Sequence, residues 1–369
     1  MRNIVIIGGG LAGLISSIQL IRAGIPCTVV EKKSYPLHRV CGEYISNEAL
    51  PFLNASGLYP KEFKLPQIKF FEFSSVKGQS AKLTLDLGGF GISRFTFDNY
   101  LFEIARQEGV SFVLNTEVTG IVFDDENFQI KTPYRDFFAD VVIGTFGKRS
   151  KIDAQQNRNF MRKRSPYVGV KYHVRTDHPQ DLVSLHNFPG GYCGVSNVEE
   201  GLTNVCYLTH RDNLRQAQDI SEMEKKVLFQ NPLIRNIFTH ADFVFDRPEV
   251  INEISFETKG PVENHILMAG DAAGMITPVC GNGIAIAIHS GKILGELVRD
   301  YCAGQIDRVA LESRYRNAWN EQFRTRLWFG RKVQVLFGDS RLSTLGLNLA
   351  RFSKPIANLI VSKTHGQPF

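Results

Sequence analysis

The chain opens on a short β-branched run, Ile4-Val5-Ile6-Ile7. It then turns at Gly8-x-Gly10-x-x-Gly13 into a helical spacing of apolar positions at Leu14, Ile18, Leu20 and Ile21. A second apolar run, Cys27 to Val30, ends in Glu31. The pattern predicts strand, tight turn, helix and second strand, the crossover from which a parallel sheet is built. Gly8 permits the turn, Gly10 lets the backbone come close to an anion, and Gly13 lets the helix pack tightly on the strand. The first N–H groups of that helix lack intrahelical partners and face the anion. Glu31 stands eighteen positions after Gly13, where a carboxylate accepts from both hydroxyls of an adenosine ribose and repels a 2′-phosphate. A glycine-rich turn alone says little, but strand, helix, second strand and terminal acid together predict a dinucleotide-binding unit.

Further along, Ser46 or Asn47 caps a short helix, Glu48 to Leu53, which Gly57 ends. Residues Ile68 to Leu87 alternate around the turn signal Lys77-Gly78 and read as a hairpin leaving the nucleotide domain. Gly91 to Asp98 cap a helix over Asn99 to Glu108. Val110 to Leu114, Val118 to Phe123, Phe128 to Lys131 and Val141 to Ile143 then read as strands that rebuild sheet beside the opening unit. The basic stretch Lys148 to Arg164 marks a crossing between domains. Beyond it, Tyr167 to Arg175, Leu182 to Asn187, Tyr192 to Val198 and Thr203 to Thr209 predict a mostly antiparallel sheet, with helices after it. Ile266 to Met268 runs into Gly270-Asp271-Ala272-Ala273-Gly274, and Pro278-Val279-Cys280-Gly281-Asn282-Gly283 opens a long helix, Ile284 to Tyr301. The remainder is helical, with Phe323, Leu327, Trp328, Val333, Val335, Leu336 and Phe337 among basic residues. The expected division is a discontinuous cofactor-binding domain (1–67, 88–155 and 262–305), a substrate domain (68–87 and 156–261) and a C-terminal helical region (306–369).

Composition alters this picture little. An apolar content of 43% and a charged content of 22% suit a globular α/β protein. The net charge of +6 is uneven: Arg308 to Phe369 holds eleven Lys or Arg against three Asp or Glu. These helices, with Trp319 and Trp328, are a candidate for contact with an anionic membrane surface, the alternative being a solvated helical cap. No apolar run reaches the length of a membrane span, and the first strand starts too early for a leader, so a cytoplasmic protein is expected. Six scattered cysteines, Cys27, Cys41, Cys193, Cys206, Cys280 and Cys302, show no metal-ligand spacing and read as reduced thiols. No metal and no nucleic-acid partner is expected.

Two anion-holding glycine turns, one near each end of the sequence, suit an elongated cofactor. The first takes a diphosphate and adenosine, while Asp271 bonds a ribityl hydroxyl and the Gly281-Asn282-Gly283 amides stabilise charge on a reduced ring. FAD meets that demand. At these residues the sequence resembles the two-domain FAD-dependent enzymes that include aromatic-ring hydroxylases of the p-hydroxybenzoate hydroxylase type, geranylgeranyl reductases and flavin-dependent halogenases. The resemblance implies a Rossmann-like FAD-binding domain of the glutathione-reductase type, with an inserted, mostly antiparallel substrate sheet (α+β) and C-terminal helices. It assigns cofactor contacts to Gly8, Gly10, Leu11, Ala12, Gly13, Glu31, Lys32, Arg39, Arg94, Val118, Gly270, Asp271, Gly281, Asn282, Gly283 and Ile284.

Val40-Cys41-Gly42-Glu43-Tyr44-Ile45-Ser46 and Arg94-x-x-x-Asp98-x-x-Leu101 look most like the reductase group. Phe146 stands where the hydroxylases usually carry an acid. The reductases' P-x-x-Y-x-W-x-F-P segment survives only as Pro189-Gly190-Gly191-Tyr192-Cys193-Gly194-Val195-Ser196-Asn197, with Gly194 for tryptophan. The halogenases' W-x-W-x-I-P segment is absent. Ring or polyketide hydroxylation therefore stands narrowly ahead of saturation of an isoprenoid or lipid chain, in each case on a hydrophobic small molecule. A non-redox escort protein on the same fold is the alternative of another class. With no second nucleotide-binding unit, NAD(P)H is expected to visit only transiently as electron donor.

Three side chains are candidates for catalysis. Cys41 either protonates a carbanion or simply shapes the cavity. Glu43 either acts as an acid or anchors the loop of Cys41. Tyr192 either lines the cavity or packs within the sheet. His173 and His186, on strands, read as satisfied core histidines.

Overall fold

The computed structural model describes residues 2–278, 281–334, 337–352 and 365–369. Val279, Cys280, Val335 and Leu336 lie outside the described residues. The first sheet has six strands, in the order Val262–Glu263, Ile266–Met268, Val141–Gly144, β1 (Ile4–Ile7), β2 (Cys27–Val30) and Ser111–Val113. All neighbours pair in parallel except the first two. Every residue of β1 is buried, as a strand covered on both faces demands. Helix α1 (Leu11–Arg22) crosses over from β1 to β2. Parallel pairing aligns the C-terminal ends of four strands. Glu31, the Gly8–Gly10 turn, the loop 145–150 and the Gly270–Gly274 turn therefore open onto one edge, where α/β sheets bind ligands.

Several strands expected in that sheet lie elsewhere. Gly120–Asp124, Asn127–Lys131 and Phe137–Ala139 form a separate three-stranded antiparallel sheet. Only Ser111–Val113 and Val141–Gly144 rejoin the main one. The helix expected from Asn99 begins five residues earlier, as α2 (Arg94–Gln107). Ser93 is its cap: the hydroxyl accepts from Thr96 N at 3.1 Å, and the carboxylate of Glu199 accepts from Ser93 N at 2.7 Å.

The second sheet has nine strands and includes β3 (Tyr167–Arg175). The hairpin Gln67–Ser74 and Ser80–Gly91 joins it through parallel pairing with Leu182–Phe188, while the other ladders are antiparallel. Tyr44–Ser46 pairs with the end of that hairpin, so this sheet also takes in a strand from the segment between β2 and α2. One face buries Val168, Val170, Tyr172, Val174 and Tyr207 against Met223, Leu228 and Ile234 of the following helical segments. The other face meets the loop 39–44: Asn204 donates to Cys41 O at 3.1 Å and Ser196 to Gly42 O at 3.3 Å.

The long helix α3 (Gly283–Cys302) lies against α1. A Cβ on Gly291 would fall 2.8 Å from Ala12 O, and one on Gly295 would fall 2.5 Å from the Gln19 Cβ. Ser16 donates to Gly291 O at 3.2 Å. These contacts advance in the same direction along both helices, so α1 and α3 run parallel, with the start of α3 at least a turn beyond that of α1. After α3 the chain forms Arg308–Trp319, a π turn at Asn320–Arg324, Thr325–Gln334 and Ser340–Phe352. Trp319 is buried against Tyr315 and Phe323, because it faces the core rather than the surface. It is therefore no membrane anchor, whereas Trp328 is 53% exposed. Among the described residues no helix is long and apolar enough to cross a membrane.

Gly291→Val forces the two helices apart at their closest approach. It is expected to destabilise the protein by about 1–3 kcal/mol, the usual range for overpacking. Denaturant unfolding of the FAD-free protein checks this, and an unchanged midpoint would show that the contact is not needed.

Candidate active site

A cavity of about 500 Å³ lies where the two sheets meet, within the size range of small-molecule and cofactor sites. Gly8, Gly10, Leu11, Ala12, Glu31, Lys32, Arg39, Arg94, Val118, Gly270, Asp271, Gly281, Asn282, Gly283 and Ile284 all line it. Gly13 does not: its Cβ would fall 2.2 Å from Gly8 O, so it serves helix packing. The two glycine turns, remote in sequence, thus share one cavity. Its shape fits an extended anionic cofactor at several points. A Cβ on Gly10 would meet nothing nearer than Arg94 Nη2 at 4.0 Å, which leaves the helix start bare. The first turns of α1 and α3 both line the cavity and point their N–H groups and positive dipole ends into it. Among the described residues a buried terminal nitrogen of Arg39 has no hydrogen-bond partner and lies 3.8 Å from the Glu31 carboxylate.

The diphosphate end is held in place by carboxylates. Glu31, buried, accepts from Gly9 N at 2.7 Å and Lys33 N at 3.1 Å. Asp98, buried on α2, grips both Arg94 nitrogens at 2.6 and 2.7 Å and Arg39 Nε at 3.0 Å. The i,i+4 spacing of Arg94 and Asp98 is the sequence signal for this clamp, although only Arg94 was expected at the site. At the other end, Gly270 N donates to Ser290 of α3 at 3.1 Å, which ties the Gly270–Gly274 turn to that helix. Burial pushes the carboxyl of Asp271 up, against the pull of Lys259, Arg94 and Lys148.

Glu43 takes the second of its two readings, an anchor. It is fully buried in a left-handed conformation (φ 55°) and accepts from Lys171 Nζ, from Arg94 N at 2.8 Å and from His173 Nε2 at 2.6 Å. Burial pushes its carboxyl up, but Lys171 and His173 outweigh this and hold it below the usual carboxylate range. Lys171 and His173 of β3 thus pin the loop 39–44 to the second sheet. A lone lysine in the apolar run of β3 was the signal that sequence reading missed. Cys41, two residues before Glu43, lines the cavity, and burial pushes its thiol up while Arg94 pulls it down. Tyr192 is not on the cavity wall. It is buried in a strand behind it, its ring centroid 5.5 Å from that of Phe337 in an edge-to-face contact and its hydroxyl 3.3 Å from Gln334 Oε1. The strand pleat turns it into that cluster with Leu185, Leu208 and Ile254. His186 bonds Ser74 at 3.0 Å and is pushed down to about 3 by burial, a satisfied core histidine. Apolar side chains, Val40, Val250, Ile251, Ile254, Met275 and Ile276, share the remaining wall with polar ones such as His38, Lys151 and Glu249.

A family model described as "FAD binding domain" matches residues 1–317. Digeranylgeranylglycerophospholipid reductase 2 of Methanopyrus kandleri is 24% identical over 356 residues, 91% of this chain and 87% of that one. Among solved structures, a geranylgeranyl bacteriochlorophyll reductase-like protein of Thermoplasma acidophilum superposes with a TM-score of 0.78 at 18% identity, covering 98% and 95% of the two chains. The flavin-dependent brominase Bmp2 gives 0.79 at 16% identity, covering 98% and 93%.

Glu43→Gln leaves the Lys171 ammonium buried without its counter-charge. It is expected to destabilise the fold by about 3–5 kcal/mol, as breaking a buried ion pair does. Because the folded carboxyl lies below its ordinary value of 4.5, the wild-type advantage is full above that pH and shrinks as pH falls below it. Thermal unfolding of both proteins between pH 3 and 8 (about the range over which carboxylates titrate) checks this, and a constant difference would refute it.

Proposed function

The chain belongs to the FAD binding domain family and is an FAD-dependent oxidoreductase, and from that premise we propose that it saturates carbon–carbon double bonds of a hydrophobic, isoprenoid-like substrate. The α1 start, Arg39 and Arg94 hold the diphosphate, Glu31 the adenosine ribose, Asp271 the ribityl chain, and the Gly281–Gly283 amides the ring. When bound and reduced, FAD supplies a hydride equivalent. A transient NAD(P)H visitor is the electron donor in this reading.

The observation that carries the proposal is Cys41, a thiol on the wall of a cavity that Val40, Val250, Ile251, Ile254, Met275 and Ile276 also line. Hydride addition to an alkene consumes one proton at the neighbouring carbon. The Cys41 thiol, kept protonated by burial, donates it from Sγ and is then reprotonated from solvent. Glu43 is left out of that role, because both of its oxygens are engaged by Lys171 and His173 of β3. Its part is to position the thiol. The apolar wall excludes water from the reacting carbons and suits a chain without polar groups. The near full-length likeness to the Methanopyrus reductase supports the same order, which reverses the narrow preference for hydroxylation drawn from sequence.

Cys41→Ala is expected to slow saturation by about 10²- to 10⁴-fold, the contribution of a positioned acid, with FAD affinity unchanged. The measurement is anaerobic reoxidation of the reduced protein by a geranylgeranyl lipid, with the product analysed by mass spectrometry. Unaltered turnover in the variant removes the thiol from the chemistry. A hydroxylated product formed only when oxygen is admitted would restore the hydroxylase reading.

A further inference from the structure

Residues His365 to Phe369 do not line the cavity, yet they touch the outer side of elements that do. The ring of Phe369 stacks on the imidazole of His289, centroids 3.9 Å apart and planes 8° from parallel, and lies 6.1 Å from the ring of Phe52. Burial pushes the His289 imidazole down to about 4, so the stack is between neutral rings. The main-chain N–H of Phe369 donates to Glu48 O at 3.1 Å. Three residues earlier, a Cβ on Gly366 would run into Glu48 Oε2 and fall 2.5 Å from Arg326 Nη1, so the backbone of the segment lies directly on the Glu48–Arg326 pair. That pair is buried, with Arg326 Nη2 at 2.8 Å from Glu48 Oε1.

Each of these three anchors belongs to a part of the fold that shapes the Gly281 end of the cavity. His289 stands on α3, six residues after Gly283, about 9 Å along the helix from the turn whose amides face the ring. Glu48 follows Tyr44–Ser46, and Tyr44 lines the cavity with its ring 3.2 Å from the place of a Cβ on Gly281. Arg326 precedes Leu327, whose Cδ1 lies 3.0 Å from the place of a Cβ on Gly274, at the end of the turn that carries Asp271. Residues 365–369 thus bridge three stretches remote in sequence, on the side away from the cofactor. Their hold is confined to two points, because Gln367 and Pro368 between them are exposed while Gly366 and Phe369 are half-buried. A short segment held in this way opens at a lower cost than the sheets it rests on.

We propose that residues 365–369 are a clasp on the cofactor site: seated, they hold the start of α3, the Tyr44–Ala49 stretch and the helix Thr325–Gln334 together from outside, and released, they let the ring end of the cavity loosen. Glu48 and Arg326 reinforce the seated state, since a buried ion pair is strong only while water is kept from it. Coupling between two sites is reciprocal, so the clasp strengthens FAD binding and FAD in turn keeps the clasp seated. A contact that merely stabilised the fold would act alike on the empty and the loaded protein and would leave FAD affinity where it was. The inference needs FAD to bind and is independent of the reaction it serves.

FAD affinity, read from flavin fluorescence on titrating the apoproteins, is expected to fall about 5- to 150-fold in Phe369→Ala and in Gly366→Val, the usual range of coupling between sites. Circular dichroism shows whether each variant is folded. On the wild type, hydrogen exchange of the Phe369 amide is expected to slow when FAD is added, and this measurement decides the matter if neither variant folds. Lower stability of a folded Phe369→Ala apoprotein with unchanged FAD affinity would reduce the segment to a structural contact and overturn the proposal. Exchange at Phe369 that is the same with and without FAD would overturn it as well.

Discussion

The close parallel contact of α1 and α3 is the constraint on which the rest of the molecule depends. One helix belongs to the opening crossover and the other to the return of the chain after the second sheet, and glycines at 291 and 295 let their backbones approach. The contact directs two parallel helix starts, staggered along the cleft, into the same cavity. Their partial positive charges and free N–H groups then act on one cavity instead of two separate surfaces. A single helix start contributes about 0.3–1 kcal/mol toward an exposed anion. Two starts with two arginines, in a half-enclosed cleft, hold an extended anionic cofactor far better than either turn alone.

Around this frame the protein uses buried carboxylates to aim groups rather than to react. Asp98 fixes two arginines, Glu31 fixes the Gly8–Gly10 turn through Gly9 N, and Glu43 fixes the loop of Cys41. Each is fully or almost fully buried and each is matched by donors, the condition under which a buried charge is tolerated.

The second sheet divides its labour by face. One side buries its apolar residues under the helices of the 220–240 region. The other carries the polar and charged residues that seize the loop 39–44. The loop of Cys41 therefore sits at the junction of the two sheets, tied to the second sheet by Lys171 and His173 and to α2 by Asp98 and Arg94 N, which gives the thiol a fixed position.

The sequence by itself determined the local features: the crossover, the glycine turns, the acid after β2 and most of the residues that line the cavity floor around them. Each of these follows from backbone conformation or periodicity within a few residues. Helix α2 was misplaced by five residues because the signal of a cap is one short side chain, Ser93, whose partner Glu199 is over a hundred positions away. Only the tertiary structure decided that Tyr192 lies behind the wall, that Trp319 is core, and that Glu43 meets Lys171 and His173. Burial and charge pairing across such distances depend on how separate strands and helices register. Alternation along one strand leaves open which of its faces will meet the cofactor.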